Sequence, residues 1–323
     1  MAVNLIGWTV ILAIGVVILI KGADYLVEGG SKTAAYLGVP ALVIGLTLVS
    51  FGTSLPELAS SLNAVFKGRT GISIGNVIGS NIANILLVLG ISSLIKPISV
   101  NIGVIKREIP IMFGAISLLL VVSFGMTIDR LGGILLLIGL IAYIAFFVLV
   151  AFVEGEKEVV EKKFETEEYK RVRSKELKIN IGKLIIGLVG IAIGAELMIR
   201  SAVFYIHEFQ LSEGLVGLTI IAIATSLPEL AASSMAAHKG ESDISIGNVI
   251  GSNTFNILMV LGICAIFAPI TFTPEIFPNM MIMISVSIAL TAFIYTGKKF
   301  GRLEGVIMTA AYFLYLTYLY LGG

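Results

Sequence analysis

The nine letters SIGNVIGSN run from Ser73 to Asn81 and return unchanged from Ser245 to Asn253, 172 residues later. The same offset carries GTSLPEL, from Gly52, onto ATSLPEL, from Ala224, so that Glu57 falls on Glu229. It also carries Gly22-Ala23-Asp24 onto Gly194-Ala195-Glu196. The chain is a duplicated unit whose halves align without gaps. Whatever one half does with a proline and a glutamate inside an apolar run, the other half must do as well.

The surroundings of these motifs are apolar. Of 323 residues 57% are hydrophobic and only 13% charged, about half the charged fraction of a soluble domain. About ten runs are long enough to cross roughly 30 Å of hydrocarbon: 5–30, 38–66, 72–95, 107–126, 131–153, 180–205, 213–238, 244–268, 277–296 and 302–321. They are apolar on every side, unlike the alternating strands of a membrane barrel. The expected fold is therefore an all-α polytopic membrane protein. The first run has no basic residue ahead of it and no small-residue cleavage site, and reads as a retained helix instead of a signal peptide.

Five runs per half is an odd number, which obliges the second copy to enter the membrane from the opposite face. The expectation is two inverted five-helix repeats, 1–153 and 180–323, joined by a charged, solvated linker over 154–179 that is helical in part through Glu/Lys pairs. A pseudo-two-fold axis in the membrane plane brings equivalent residues together near the midplane, where secondary transporters bind their substrates.

Charge placement orients the chain. Lys96, Lys106, Arg107, the linker, Lys239, Lys298, Lys299 and Arg302 fall on one side, against Lys67, Arg69 and Arg130 on the other. The richer side is expected to be cytoplasmic and both termini extracellular, in a multi-pass protein of the cell membrane. A net charge of +1 with no basic face excludes a nucleic-acid partner; lipid is the partner, and no obligatory protein partner is evident. Cys264 is the only cysteine and reads as a packing thiol. His207 and His238 read as solvated helix-end residues.

The motif chemistry points to cations. Pro56 has no N–H, so the carbonyl of Gly52 loses its helical partner beside Thr53. Thr53 and Glu57 are four apart and share a face. Pro228 repeats the arrangement for Ala224, Thr225 and Glu229. On the next helix Asn76, Ser80 and Asn84 form a polar stripe at i, i+4, i+8, repeated by Asn248, Ser252 and Asn256. Gly75 and Gly79, with Gly247 and Gly251, read as close helix packing. An acidic side chain at the bilayer centre costs about 2.5–3.5 kcal/mol, and the motif runs hold no lysine or arginine to balance it. Two carboxylates sharing a site cannot both keep their charge there without a cation. Ca2+ accepts six to eight hard oxygens, and Na+ suits the same donors. Soft metals are disfavoured, since neither motif holds Cys or His.

GTSLPEL with SIGNVIGSNIANILLVLG, and ATSLPEL with SIGNVIGSNTFNILMVLG, resemble the two alpha repeats of the calcium/cation antiporter superfamily, with its prokaryotic sodium/calcium exchangers the nearest likeness. The resemblance implies a ten-helix exchanger, not an enzyme, with no cofactor and with Ca2+ and Na+ as transported ligands. It implies Glu57 and Glu229 as principal calcium ligands, completed by backbone oxygens of Thr53 and Thr225. Ser80 and Ser252, with the backbone oxygens of Ser50 and Ala222, would line sodium positions; Ser54, Ser226, Asn84 and Asn256 would be neighbouring polar contacts. The family's alternating access, by sliding of the first and sixth helices, is implied as well. Some relatives carry an aspartate where this chain has Asn256, so the site here is less negative, which argues against potassium dependence. Exchange of Ca2+ against H+ or another cation stays open, because a glutamate trades either a proton or a metal. A passive cation channel and a two-carboxylate intramembrane hydrolase fit less well, the first for the inverted repeats and the second for want of a nucleophile with a partnered base.

Overall fold

The computed structural model describes residues 2–101, 103–161, 167–208, 225–272, 276–297 and 299–322. Among them are ten helical segments. In the first half these are α1 (Ala2–Leu37), α2 (Ala41–Phe66), α3 (Thr70–Ile95), α4 (104–122) and α5 (Arg130–Glu161). In the second they are α6 (Glu167–Glu208), α7 (Leu227–Lys239), α8 (Ser242–Phe267), α9 (Ile276–Gly297) and α10 (Arg302–Gly322). Eight described helices are long and apolar enough to cross a membrane. The protein is a multi-pass, all-helical membrane protein.

The helix ends differ from those expected at α1, α5 and α6. Hydropathy places α1 over 5–30 and α6 over 180–205, whereas the helices run Ala2–Leu37 and Glu167–Glu208. A helix of 36 residues is roughly 54 Å long, so its ends outrun the hydrocarbon. Polar residues that leave the bilayer keep their helical hydrogen bonds, and the charged segment 154–179 accordingly continues α5 to Glu161 and opens α6 at Glu167. The first part of the run 213–238, up to Ala224 and including Ala222, lies outside the described residues.

The apolar residues that make the chain insoluble are not what fills its centre. The motif helices α3 and α8 have 78% and 89% of their most apolar window buried, against 17% for α1 and α5. Peripheral helices turn Ile138, Ile141, Leu149 and Leu314 outward, as lipid-facing helices must. Around the centre, Leu46, Ile78, Ile82, Ile85, Ile250 and Ile257 are fully buried and seal the polar stripe from lipid.

Two short ribbons report the symmetry. Strand β1 (Ile98–Ser99) follows α3, β2 (Thr127–Ile128) follows α4, β3 (Ile270–Thr271) follows α8 and β4 (Lys299–Phe300) follows α9. β1 pairs antiparallel with β4 (Ile98 opposite Phe300), and β2 with β3 (Ile128 opposite Ile270). Shifting by 172 turns the first ribbon into the second with its strands exchanged. Pairing between non-equivalent loops of the two halves requires that the halves run oppositely through the membrane, so the repeats are inverted. The first ribbon gathers Lys96, Lys106, Lys299 and Arg302 on one face, where Ser99 N donates to Ser242 Oγ (3.3 Å); Arg130 lies beyond the second ribbon on the other face.

α1 and α6 pack on each other through a glycine seam. A Cβ on Gly22 would stand 2.6 Å from Ile191 N, one on Gly187 2.4 Å from Leu26 N, and one on Gly194 2.5 Å from Leu19 N. Gly15 and Gly22 map onto Gly187 and Gly194 at the repeat offset. The contact is backbone against backbone.

The halves are not conformationally equal. Lys239, at the end of α7, pairs with Asp24 of α1 (2.5 Å), and Ser31 Oγ donates to Glu241 (2.7 Å). The repeat counterpart of the first pair is Lys67 with Glu196, but Glu196 pairs instead with Arg200 on its own helix (2.7 Å). One end of α1 is latched and the matching end of α6 is not.

The seam yields a stability test. Gly→Ala in an exposed helix usually stabilises, but Gly22→Ala and Gly187→Ala should each cost about 1–3 kcal/mol through overpacking. Gly7→Ala, into open space, should stay within about 0.5 kcal/mol; thermal unfolding in detergent measures all three.

Candidate ion-binding site

The site is built where two helices break. The ladder of α2 reaches Ser54 N to Ser50 O (3.0 Å) and resumes with Leu58 N to Ser54 O (3.2 Å). Ser54 itself leaves the helical conformation (φ −83°, ψ 1°), and Ser226 does the same (φ −88°, ψ 3°). Prolines 56 and 228 stand in the first turns that follow, with Glu57 and Glu229 beside them. Each carboxylate thus sits at a helix N-terminus, where unpaired N–H groups favour negative charge.

α3 and α8 widen at matching points. Both turn from α to π geometry over one stretch, Asn84–Leu89 and Asn256–Leu261. α2 has a π segment too, Gly45–Val49, whose Leu46 carbonyl accepts from Tyr143 Oη of α5 (2.7 Å). Such widened turns release backbone groups and recur at functional sites. Gly247 and Gly251 seat α2 on α8, since a Cβ on Gly251 would lie 2.7 Å from Leu46 O. Close packing is thus the role of this pair, whereas a Cβ on Gly75 or Gly79 would meet nothing within 4 Å among the described residues.

Asn76 and Asn248 stitch the halves together. Asn76 Nδ2 donates to Glu57 O (3.3 Å) and Ser61 Oγ (3.0 Å), and Asn248 Nδ2 to Glu229 O (3.4 Å) and Ser233 Oγ (2.9 Å). Their oxygens accept across the two-fold: Thr53 Oγ1 donates to Asn248 Oδ1 (3.1 Å), and Thr225 Oγ1 to Asn76 Oδ1 (3.5 Å). Both ends of each amide are used within the protein. Ser50 Oγ is committed as well, to Gly45 O (2.7 Å) and Asn248 O (3.1 Å), and its backbone carbonyl accepts from Ser54 N (3.0 Å) and Thr53 Oγ1 (3.4 Å).

The remaining oxygens are not committed. Glu57, Glu229, Ser80, Asn84 and Asn256 are fully buried and Ser226 nearly so. Among the described residues, both carboxylate oxygens of Glu57, Oε2 of Glu229, the hydroxyls of Ser80 and Ser226, and Oδ1 of Asn84 and Asn256 meet no side-chain hydrogen-bond partner. Glu229 is better attended: Ser54 Oγ donates to its Oε1 (3.4 Å), with the Thr53 and Ser252 hydroxyls also against it. Ser54 lies three residues before Glu57, and the two carboxylates act on each other electrostatically. Of the residues expected at the site, side-chain contacts join Ser50, Thr53, Ser54, Ser252 and Glu229, and Thr225 reaches Glu57 through Asn76; Ser80, Ser226, Asn84 and Asn256 are buried without a hydrogen-bond contact to the two carboxylates, and Ala222 is outside the described residues. Asn81 and Asn253 lie off the i, i+4, i+8 stripe that the spacing defines; their recurrence at the repeat offset is the signal in the sequence that marks them. His238 is exposed at the end of α7, and Cys264 is buried away from the cluster beside Ser73.

A buried group without a partner costs roughly 1–3 kcal/mol, more when charged. The helix N-terminus returns at most about 2 kcal/mol to a carboxylate. Oxygens converge here from both halves with no cationic side chain among them, and this donor set suits a hard cation. An inverted-repeat bundle with such a centre defines a secondary cation transporter.

Comparison with known proteins agrees. The profile of the family described as sodium/calcium exchanger protein matches residues 7–149 and again 179–321, so the chain belongs to the sodium/calcium exchanger family. Its relatives include the sodium/calcium exchanger MaX1 of Methanosarcina acetivorans, 35% identical over 96% of this chain and 97% of that one, and the inner membrane protein YrbG of Escherichia coli, 34% identical over 97% and 96%. A structure of the sodium-calcium exchanger NCX_Mj soaked with 10 mM Na+ and no Ca2+ superposes with a TM-score of 0.83 at 32% identity, covering 98% of this chain and 99% of that one. A second, soaked with 2.5 mM Na+ and 1 mM Sr2+, gives 0.82. The chain is a cation/calcium exchanger whose ions are its transported substrates.

If the Glu57 carboxylate is uncompensated in the absence of ions, Glu57→Gln should be more stable than the parent in buffer free of Na+ and divalent cations, by about 1 kcal/mol or more. Thermal unfolding in choline chloride with chelator measures this; a less stable variant would mean that the carboxylate is already satisfied.

Proposed function

We propose that the protein exchanges Ca2+ for Na+ across the cell membrane by alternating access, both ions competing for the cluster between α2, α3, α7 and α8. Glu57 and Glu229 act as the principal calcium ligands, with backbone oxygens of Thr53 and Thr225. Ser80, Ser252 and the backbone oxygens of Ser50 and Ala222 serve the sodium positions, with Ser54, Ser226, Asn84 and Asn256 as neighbouring polar contacts. The observation that carries this reading is the set of buried oxygens, contributed by both halves, that find no donor among the described residues. Sodium as the counter-ion is supported by the likeness to the sodium/calcium exchanger MaX1 and to NCX_Mj soaked with Na+.

Residues 1–153 and 180–323 are the two transport halves in this reading, a division supported by the double match of the family profile. The segment 154–179 is a cytoplasmic connection, and both termini are extracellular, because the face of the first ribbon carries the excess of Lys and Arg. The latch of Asp24 on Lys239, made at one end only, supports alternating access: an inverted repeat held in one of two states breaks its own symmetry. In the other state Glu196 would reach Lys67. No cofactor or protein partner enters this scheme, and no catalytic step.

In proteoliposomes, calcium uptake should require an opposed sodium gradient; uptake indifferent to sodium but driven by a pH gradient would replace Na+ by H+. Glu57→Gln and Glu229→Gln should each lower calcium transport at least a hundredfold, a loss of about 2.7 kcal/mol, in a protein that still folds. Near-normal calcium affinity in both would overturn the shared site. Asp24→Asn, which removes one side of the latch, should speed amide exchange in the second half of α1 several-fold without matching change in α6; equal change in both would deny the latch its role.

A further inference from the structure

Asn84 and Asn256 present a problem that burial alone does not solve. A carboxamide has an acceptor at one end and two donors at the other, and the two ends differ little in shape. An amide that turns its NH2 toward a cation repels it. Something must decide which end of Asn84 and Asn256 faces the ion cluster.

Asn81 and Asn253 make that decision. Asn84 Nδ2 donates to Asn253 Oδ1 and Asn256 Nδ2 to Asn81 Oδ1, both at 3.1 Å, which leaves the two Oδ1 atoms as the ends without a donor. Asn81 and Asn253 are fixed in turn by each other: Asn81 Nδ2 donates to Asn253 O (3.2 Å) and Asn253 Nδ2 to Asn81 O (3.4 Å), across the pseudo-two-fold. All four side chains are buried, and Met283 Sδ closes the other side of Asn81 (3.7 Å). An amide flipped anywhere in this ring would set NH2 against NH2 or oxygen against oxygen. Only asparagine both accepts from the neighbouring amide and donates to the opposing backbone: leucine does neither, and aspartate would face a carbonyl with a carboxylate.

We propose that Asn81 and Asn253 are positioning residues for ion selectivity, each holding the amide of the opposite repeat with its oxygen toward the transported cation. Asn81 serves Asn256, and Asn253 serves Asn84. The inference rests on the reading of Asn84 and Asn256 as oxygen donors to the ions.

The experiment exploits the symmetry of a carboxylate, which offers an oxygen whichever way it turns. Calcium and sodium affinities are measured by calorimetry on the purified full chain, with metal as the only probe. Asn81→Ala should weaken calcium binding about tenfold. Placed in an Asn256→Asp background, the same change should cost less than about twofold; in an Asn84→Asp background it should keep its full tenfold cost. An equal loss in all three backgrounds means that Asn81 only packs, and no loss in the parent means that Asn256 needs no holding; either overturns the proposal. Should Asn81→Ala not fold, Asn253→Ala with Asn84→Asp repeats the test from the other half, with Asn256→Asp as its mismatched control. Asn256→Ala is measured beside them: unchanged affinity there would sink the reading of Asn256 as a ligand, a failure separate from that of the ring.

Discussion

Two carboxylates buried in a membrane protein without a cationic side chain beside them are the constraint from which the rest follows. Each costs about 2.5–3.5 kcal/mol to bring to the bilayer centre, and the helix breaks at Ser54 and Ser226 offset only part of that by setting Glu57 and Glu229 at helix N-termini. The hydroxyls of Thr53, Ser54 and Ser252 attend Glu229, whereas among the described residues no side chain donates to Glu57, which has only its own backbone N–H. A protein that evolved such a centre for stability alone would have supplied donors. A centre left short of positive charge is instead suited to a charge that comes and goes.

The two-fold arrangement makes this shortage tolerable. Asn76 and Asn248 hold the glutamate-bearing helices by their backbones and tie each to a threonine of the other half, so the framework is satisfied even where the ligands are not. Polar groups divide into those that build the walls, with both ends used, and those that face the ion, with one end open. The same residue type does both tasks. Asn248 and Asn256 are eight apart on one helix, and only their partners distinguish them.

Much of this was legible in the letters. The offset of 172 and the odd number of runs per half point to inverted repeats, and a glutamate after a proline in an apolar run points to the candidate site. What escaped was of two kinds. Hydropathy marks where a helix meets lipid and not where its hydrogen bonds end, so α1 and α6 run past their apolar stretches at both ends. And a helical stripe drawn at i, i+4 collects Asn76, Ser80 and Asn84 but omits Asn81, whose importance lies in a contact 172 residues away. Nor does a local rule foresee the π turns at Asn84 and Asn256, which depend on packing between helices.

The two small ribbons set a mechanical limit. Each joins a strand of one repeat to a strand of the other, one pair at either membrane face, so the repeats are riveted top and bottom and cannot rock about the centre like two jaws. α1 and α6 contribute no strand to either rivet, and they touch each other through bare glycine backbone. For the proposed alternating access, α1 and α6 are thus the pair that neither ribbon holds.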